Sequence, residues 1–145
     1  MQKNIYLVGV DGSEWSERAV ERAVNLAKQT SASIQLVHVA TWQEFQPVMV
    51  EGITPPMIDQ KQAENELFEK ILQPLLDKYQ AESITLSAKT VWGDPVEVLH
   101  QNVKDHHACM IFVGRRGRSR FFDMLLGSVA NKLAHQTGVP IVLVP

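Results

Sequence analysis

The sequence predicts an α/β protein, an open five-stranded parallel sheet with helices on both faces, built as a single domain over residues 1–145. Short apolar runs alternate with amphipathic stretches along the whole chain, which is the order expected of a parallel sheet with right-handed crossovers. The first run, residues 4–10, is nearly continuously apolar, as in a strand that is covered on both faces. Because 45% of the 145 residues are hydrophobic and 21% are charged, the chain can bury one core of ordinary size.

The beginning of the chain predicts two strands with a capped helix between them. Asp11 to Ser13 ends the first apolar run, and Ser13 is a fair N-cap with Glu14 in the first turn. The second strand is predicted over residues 33–39. Apolar residues at helical spacing mark the helix between the two strands: Ala19, Val20, Ala23, Val24 and Ala27.

The middle of the chain predicts a surface loop, a second helix and a third strand. Residues 41–56 have no clear period and hold three prolines, which is typical of a long loop. Pro74 falls inside the second helix and predicts a kink or a break there. The third strand is predicted over residues 83–91, where apolar residues alternate. A further set of apolar residues marks the second helix: Ile58, Leu67, Phe68, Ile71, Leu72, Leu75 and Tyr79.

Two more helices and the fourth strand follow. Asp94 is a predicted N-cap, Pro95 takes the first helical position, and Glu97 completes a pattern like a capping box. The fourth strand is predicted over residues 108–113, and Ser128 is predicted to cap the last helix.

The fifth strand, residues 140–144, follows Gly138, which is predicted to end the last helix. This strand carries no charge, and as the last of the chain it is expected at an edge of the sheet. An unpaired apolar edge is an aggregation hazard that proteins cover, charge or pair. The sequence therefore predicts a homodimer through Ile141 to Val144, because two-fold contacts are the commonest kind.

The segment between the fourth strand and the last helix holds the strongest functional signal. Gly114 and Gly117 are followed by nine residues, 118–126, and then by Gly127 and Ser128. Glycine lets a backbone approach a ligand closely and adopt positive φ, and a helix N-terminus offers N–H groups and partial positive charge to an anion. These features point to phosphate and so to a nucleotide, and an ordinary flexible connection is the alternative. Four of the fourteen Lys and Arg residues lie in the same loop: Arg115, Arg116, Arg118 and Arg120.

Asp11, directly after the first strand, is a second candidate. Ligands of open α/β sheets bind at the carboxyl ends of the strands, where the strand order reverses. If the first and fourth strands are neighbours, Asp11 faces the glycine loop across one crevice. Its carboxylate can then accept hydrogen bonds from a ribose hydroxyl group. A turn-forming or helix-capping aspartate is the alternative interpretation.

The whole chain resembles the universal stress protein family, in its nucleotide-binding branch. The glycine loop fits the pattern of that branch, G-x2-G-x9-G-[S/T], without a gap. Four further segments sit where the family has them: residues 8–14, 38–39, 91–95 and 139–144. The resemblance implies a Rossmann-like fold of the adenine-nucleotide-hydrolase-like type and a nucleotide-binding module for stress response or signalling.

The resemblance also implies ATP between the first and fourth strands, with AMP or ADP as alternatives and Mg²⁺ or Mn²⁺ as a companion ion. Asp11 would meet the ribose or the base, and Val39 would pack on adenine with Val10 nearby. Ala130 stands where nucleotide-binding relatives often carry Ser or Thr near the terminal phosphate or its metal. Gly114, Arg116 and Gly117 would line the ribose and the phosphates through their backbone, and the phosphate tail would be held by Gly127, Ser128 and Val129.

Composition narrows the class of partner and the compartment. The net charge of -2 argues against a dedicated nucleic-acid binder, which needs a basic surface. No apolar stretch approaches the roughly 20 residues of a membrane helix, and the start has no signal-peptide layout, so a cytoplasmic protein is expected. The single cysteine, Cys109, lies in an apolar strand and is expected to be an inert thiol.

Two functional alternatives stay open beside nucleotide binding for signalling. One is a slow ATPase or phosphotransferase that uses the same site. Phosphoryl transfer needs a base, a metal ligand set and a charge clamp. The arginines could serve as the clamp, but beyond Asp11 and Asp123 nothing near the predicted site offers a base or a metal ligand. No catalytic residue is therefore predicted. The other is a protein-interaction module that does not depend on a nucleotide.

Overall fold

The computed structural model describes residues 3–41, 51–52, 59–117 and 126–145. It confirms the predicted fold class, since five parallel strands form one sheet in the order β3-β2-β1-β4-β5. Their ends differ from the predicted ends by at most two residues. The strands are β1 (Ile5–Gly9), β2 (Ser33–Ala40), β3 (Thr85–Trp92), β4 (Met110–Gly114) and β5 (Ile141–Val144).

Helices cover both faces of the sheet, as predicted. Because side chains alternate along a strand, Val8 and Leu36 pack under α1, α2 and α3, whereas Leu7 and Val37 pack under α4 and α5. These two layers form the two hydrophobic clusters of the core. The helices are α1 (Glu14–Thr30), α2 (Gln60–Leu67), α3 (Gln73–Tyr79), α4 (Pro95–Asp105) and α5 (Ser128–Gln136).

Local capping fixes where two of these helices begin. The Oγ atom of Ser13 accepts a hydrogen bond from the backbone N–H of Ser16, so Ser13 caps α1 as predicted. The carboxylate of Asp94 accepts one from the N–H of Glu97 and caps α4, with Pro95 at its first position. Both caps follow strands directly, so each helix starts at the carboxyl edge of the sheet.

Pro74 interrupts the regular α-helical hydrogen bonding between β2 and β3. Proline has no N–H to donate to the residue four positions back, and its ring clashes with that carbonyl. A π-helical segment, Phe68–Leu72, precedes Pro74 and joins α2 to α3. In it the N–H of Gln73 donates to the carbonyl of Phe68, five residues back. The predicted interruption is thus a widened turn.

Parts of three predicted features lie outside the described residues. These are most of the predicted loop over 41–56, Ile58 of the second helix, and Arg118, Arg120 and Asp123 of the glycine loop. In the described part of the chain, no helix is both long enough and apolar enough to cross a membrane.

Candidate functional site

The sheet reverses its strand order between β1 and β4, which lie side by side. β1 pairs with β2 on one side and β4 on the other, with Val8 opposite Phe112 in the parallel register. The chain therefore leaves these two strands in opposite directions, and a crevice opens beyond their carboxyl ends. Asp11 follows β1 and Gly114 ends β4. Since these two strands are neighbours, Asp11 and the glycine loop share one crevice, as the sequence analysis required.

A cleft of about 230 Å³ occupies this position. All nine residues that the resemblance assigns to the nucleotide line it, while their role in binding stays a prediction. They are Val10, Asp11, Val39, Gly114, Arg116, Gly117, Gly127, Ser128 and Val129. The other lining residues belong to β1, β2, β4, α1, α4 and α5, or follow β2 directly.

The carboxylate of Asp11 both forms a turn and faces the cleft, so the turn interpretation is confirmed and the contact with a ribose hydroxyl stays a prediction. Its Oδ1 atom accepts hydrogen bonds from the backbone N–H and the hydroxyl of Ser13, which closes the turn before α1. Its Oδ2 atom faces the opposite loop, because a Cβ on Gly117 would lie 2.8 Å from it. One carboxylate oxygen is therefore directed across the cleft at the glycine loop.

Gly114 is required by packing inside the protein. A Cβ at this position would lie 2.6 Å from the Cβ of Trp15 and 2.9 Å from the carbonyl oxygen of Arg116. No flexible side chain can yield there, since the nearest atoms belong to the backbone and Cβ of α1 and to the loop itself. The first glycine of the motif thus lets the start of α1 lie directly against the end of β4.

Gly127 is different, because nothing among the described residues demands a glycine there. Its φ of -64° and ψ of 156° are open to any residue, and a Cβ would come no closer than 3.4 Å to a described atom. Positive φ is absent at Gly114 and Gly117 too. At these two positions the property of glycine that matters is close approach, since a Cβ would lie 2.6 Å and 2.8 Å from the nearest atom.

The prediction that Ser128 caps the last helix is also wrong. Gly127 is the N-cap, because its backbone is extended while Ser128 already takes the first helical position. Gly127 has no side chain to accept a hydrogen bond, and its carbonyl accepts the first intrahelical bond from the N–H of Asn131. The N–H groups of the first turn of α5 are therefore left without a side-chain cap at the cleft.

The two described arginines of the loop have separate environments. Arg116 is half-buried and lines the cleft, whereas Arg115 is exposed and does not. The backbone of Arg115 holds the loop closed, since its N–H donates to Val144 and its carbonyl accepts from Gly127, both at 2.7 Å. The loop is thus fixed at its base by β5 and by the start of α5.

Several lining residues were not predicted. Ser16 is buried, and its Oγ atom donates to the carbonyl of Ser13 and accepts from the N–H of Asp11. The Nδ1 atom of His38 lies 2.7 Å from the carbonyl of Val10; since a carbonyl only accepts, this nitrogen carries the proton. Pro95 belongs to the first turn of α4. The sequence pattern that could have placed Pro95 at the cleft is the predicted start of a helix at the carboxyl edge of the sheet.

The family of the chain is decided by comparison with known sequences. The model described as the universal stress protein family matches residues 3–145. The chain belongs to this family. Universal stress protein YxiE of Bacillus subtilis is 31% identical over 97% of the chain and 98% of its own length. Universal stress protein Rv2005c of Mycobacterium tuberculosis is 32% identical over 94% of the chain, which spans only 44% of that relative.

Solved structures of other universal stress proteins share the fold of this universal stress protein. One, determined in complex with cAMP, has a TM-score of 0.71 and 24% identity, covering 99% of this chain and 98% of its own. Another, from Archaeoglobus fulgidus in complex with dAMP, has a TM-score of 0.67 and 18% identity, covering 99% and 98%. At these identities the likeness concerns the fold.

Proposed function

We propose that this universal stress protein binds an adenine nucleotide, ATP in the first place, and acts as a nucleotide-binding module in stress response or signalling. The observation that carries the proposal is the start of α5. An uncapped helix N-terminus and a glycine that described packing does not require both face the same cleft. A helix N-terminus of this kind is suited to a phosphate group.

The side-chain caps of three other helices support a ligand at this end of α5. Side chains of Ser13, Asp59 and Asp94 cap α1, α2 and α4, so the chain satisfies those N–H groups itself. At α5 the N-cap is Gly127, which leaves the first-turn N–H groups to solvent or to an anion. A Cβ on Gly127 would occupy space that an approaching phosphate needs.

The other half of the cleft is suited to a nucleoside. Val10 and Val39 are 3% and 9% exposed and offer apolar wall to a flat base. The Oδ2 atom of Asp11 is an acceptor, which fits the hydroxyl groups of ribose and not a phosphate. The two relatives solved with cAMP and dAMP show that adenine nucleotides bind members of the family. Base, sugar and phosphate each have a fitting partner here.

Calorimetric titration of the full chain with ATP, ADP and AMP tests the proposal. We expect saturable binding of at least one adenine nucleotide. GTP should bind more weakly, because no residue of the proposed site is assigned to a group that is specific to guanine. The absence of saturable heat with all three adenine nucleotides would remove this function and leave the nucleotide-independent interaction module.

We expect ATP hydrolysis to be slow, below roughly 1 s⁻¹, the lower end of kinase turnover. Asp11 is the one carboxylate that lines the cleft among the described residues, and His38 has its Nδ1 proton directed at the carbonyl of Val10. Oδ1 of Asp11 already accepts two hydrogen bonds from Ser13. Phosphate release at or above that rate, lost in Gly127→Val, would place the protein among enzymes.

We also propose a homodimer through β5. In the described sheet β5 pairs only with β4, and it has no charged residue. The opposite edge strand, β3, carries Lys89. Its Nζ atom donates a hydrogen bond to the Nε2 atom of His106, at the end of α4. Inward-pointing charge of this kind discourages edge pairing. The β5 edge is therefore the one suited to a second copy.

Leu143→Pro should weaken such a dimer about tenfold or more while sparing the sheet of each copy. The carbonyls of Pro140 and Val144 point to β4. Because backbone groups of successive strand residues point to alternate sides, the N–H of Leu143 points away from β4. A proline at this position removes only that outward donor. Leu143→Ala, which keeps the N–H, is the matched control. Light scattering gives the mass; a parent that is monomeric at micromolar concentration would contradict the dimer.

A further inference from the structure

We infer that nucleotide binding and dimerisation are coupled, because the main chain of Arg115 joins the proposed phosphate site to the end of β5. A copy that holds a nucleotide should pair with a second copy more tightly than an empty copy does. This inference rests on the proposed function and on the proposed dimer through β5. It adds a link between the two sites, through which the protein reports that its cleft is occupied.

Arg115 makes one main-chain hydrogen bond toward each of the two sites. Its carbonyl oxygen accepts from the N–H of Gly127, the N-cap of α5, at 2.7 Å. Its own N–H donates to the carbonyl oxygen of Val144 in β5, also at 2.7 Å. The first bond sets the position of the uncapped start of α5, where the phosphate is proposed to lie. The second bond fixes the last residue of β5, so one residue connects the two sites.

A second set of contacts holds the end of β5 through α1. A Cβ on Gly114 would lie 2.6 Å from the Cβ of Trp15, so the end of β4 lies directly against α1. The guanidinium carbon of Arg18 lies 5.7 Å from the centre of the Trp15 ring. The Nε atom of Arg18 donates to the carbonyl oxygen of Pro145 at 2.9 Å. The residues that hold the end of β5 therefore belong to the glycine loop and to α1, and both border the cleft.

β5 is the element that can be held or released. It is four residues long, lies at an edge of the described sheet and is half-buried except for Val144, which is buried. Short segments with few buried contacts open locally at low free-energy cost. A second copy can pair only with an ordered strand, and a phosphate at the start of α5 favours the closed loop that orders this strand. Because both partners favour the held state, each lowers the ordering cost that the other meets.

Thermodynamic linkage turns the inference into two related measurements. With one site in each copy of a two-fold dimer, the gain in dimer affinity at saturating ATP is the square of the gain in ATP affinity on dimerisation. We expect ATP to bind the dimer about fivefold more tightly than the monomer, and saturating ATP to tighten the dimer about 25-fold. Sedimentation equilibrium with and without ATP measures the dimer. A fluorescent ATP analogue, titrated at protein concentrations above and below the dissociation constant of the dimer, measures binding.

Leu143→Pro supplies a copy that pairs weakly, because it removes the outward N–H of β5. It should bind ATP about fivefold more weakly than the concentrated parent and as weakly as the diluted parent. Agreement between the variant and the diluted parent shows that the substitution has left the cleft intact. Since the diluted parent carries no substitution, the comparison within the parent decides the inference even if the variant fails to fold.

The three possible failures are distinguishable. An ATP affinity of the parent that is equal or weaker above the dissociation constant of the dimer would overturn the inference and leave both the proposed function and the proposed dimer standing. A parent that binds no adenine nucleotide would overturn the proposed function together with the inference. A parent that is monomeric both with and without ATP would overturn the proposed dimer together with the inference.

Discussion

Gly127→Val should abolish nucleotide binding and lower the free energy of unfolding by no more than about 1 kcal/mol. The backbone of Gly127 already has φ and ψ values that valine adopts, and a Cβ there meets described atoms only at 3.4 Å, an ordinary contact. The added side chain would stand at the start of α5, where the phosphate is proposed to lie. Calorimetry measures binding, and urea unfolding measures stability.

Gly127→Ala separates the two effects more finely, because it adds a single carbon atom. We expect it to weaken nucleotide binding less than valine does, in the order expected of steric exclusion. If Gly127→Val binds ATP as tightly as the parent, phosphate does not lie at the start of α5. The proposed function would then need another site for its phosphates.

Gly114→Ala should lower the free energy of unfolding by about 3 kcal/mol, the upper part of the range for overpacked sites. The new Cβ would lie 2.6 Å from the Cβ and 2.9 Å from the carbonyl carbon of Trp15, so α1 and the loop must move apart. Urea unfolding at constant pH measures the change.

Gly138→Ala is the control for the effect of adding a methyl group to any glycine. A Cβ on Gly138 meets no described atom within 4 Å, and its φ is not positive, so we expect a change within about 0.5 kcal/mol. Equal stability of the Gly114 and Gly138 variants would show that the contact with Trp15 yields easily. The two motif glycines would then not divide into one for packing and one for the ligand.

The sequence was sufficient for the fold and for most of the cleft, because the governing signals are local or topological. The alternation of strands and helices fixes the sheet type, and the strand ends of a parallel sheet place Asp11 near Gly117 once β1 and β4 are neighbours. Because Pro74 has no N–H to donate, the sequence predicted an interruption of the second helix. A proline can kink, break or widen a helix, so Pro74 alone does not decide that the interruption is a π-helical segment.

The remaining features depend on contacts between distant segments. Pro95 reaches the cleft because α4 packs across the sheet, and Ser16 reaches it because the turn after β1 is folded against α1. The cap of α5 was assigned to Ser128 from residue preference alone. Its real N-cap, Gly127, follows from the bond between its N–H and the carbonyl of Arg115, which sets the extended backbone at that residue.

The open start of α5 bears on how this chemistry can persist while sequences diverge. Its donors are main-chain N–H groups, so any sequence that builds the same turn presents them, whatever side chains follow. The fold itself is shared with solved relatives at 18% and 24% identity. The phosphate site proposed here consists of backbone groups and would therefore be inherited with the shape of the chain. The side chains that line the cleft are then the part through which one member can differ from another.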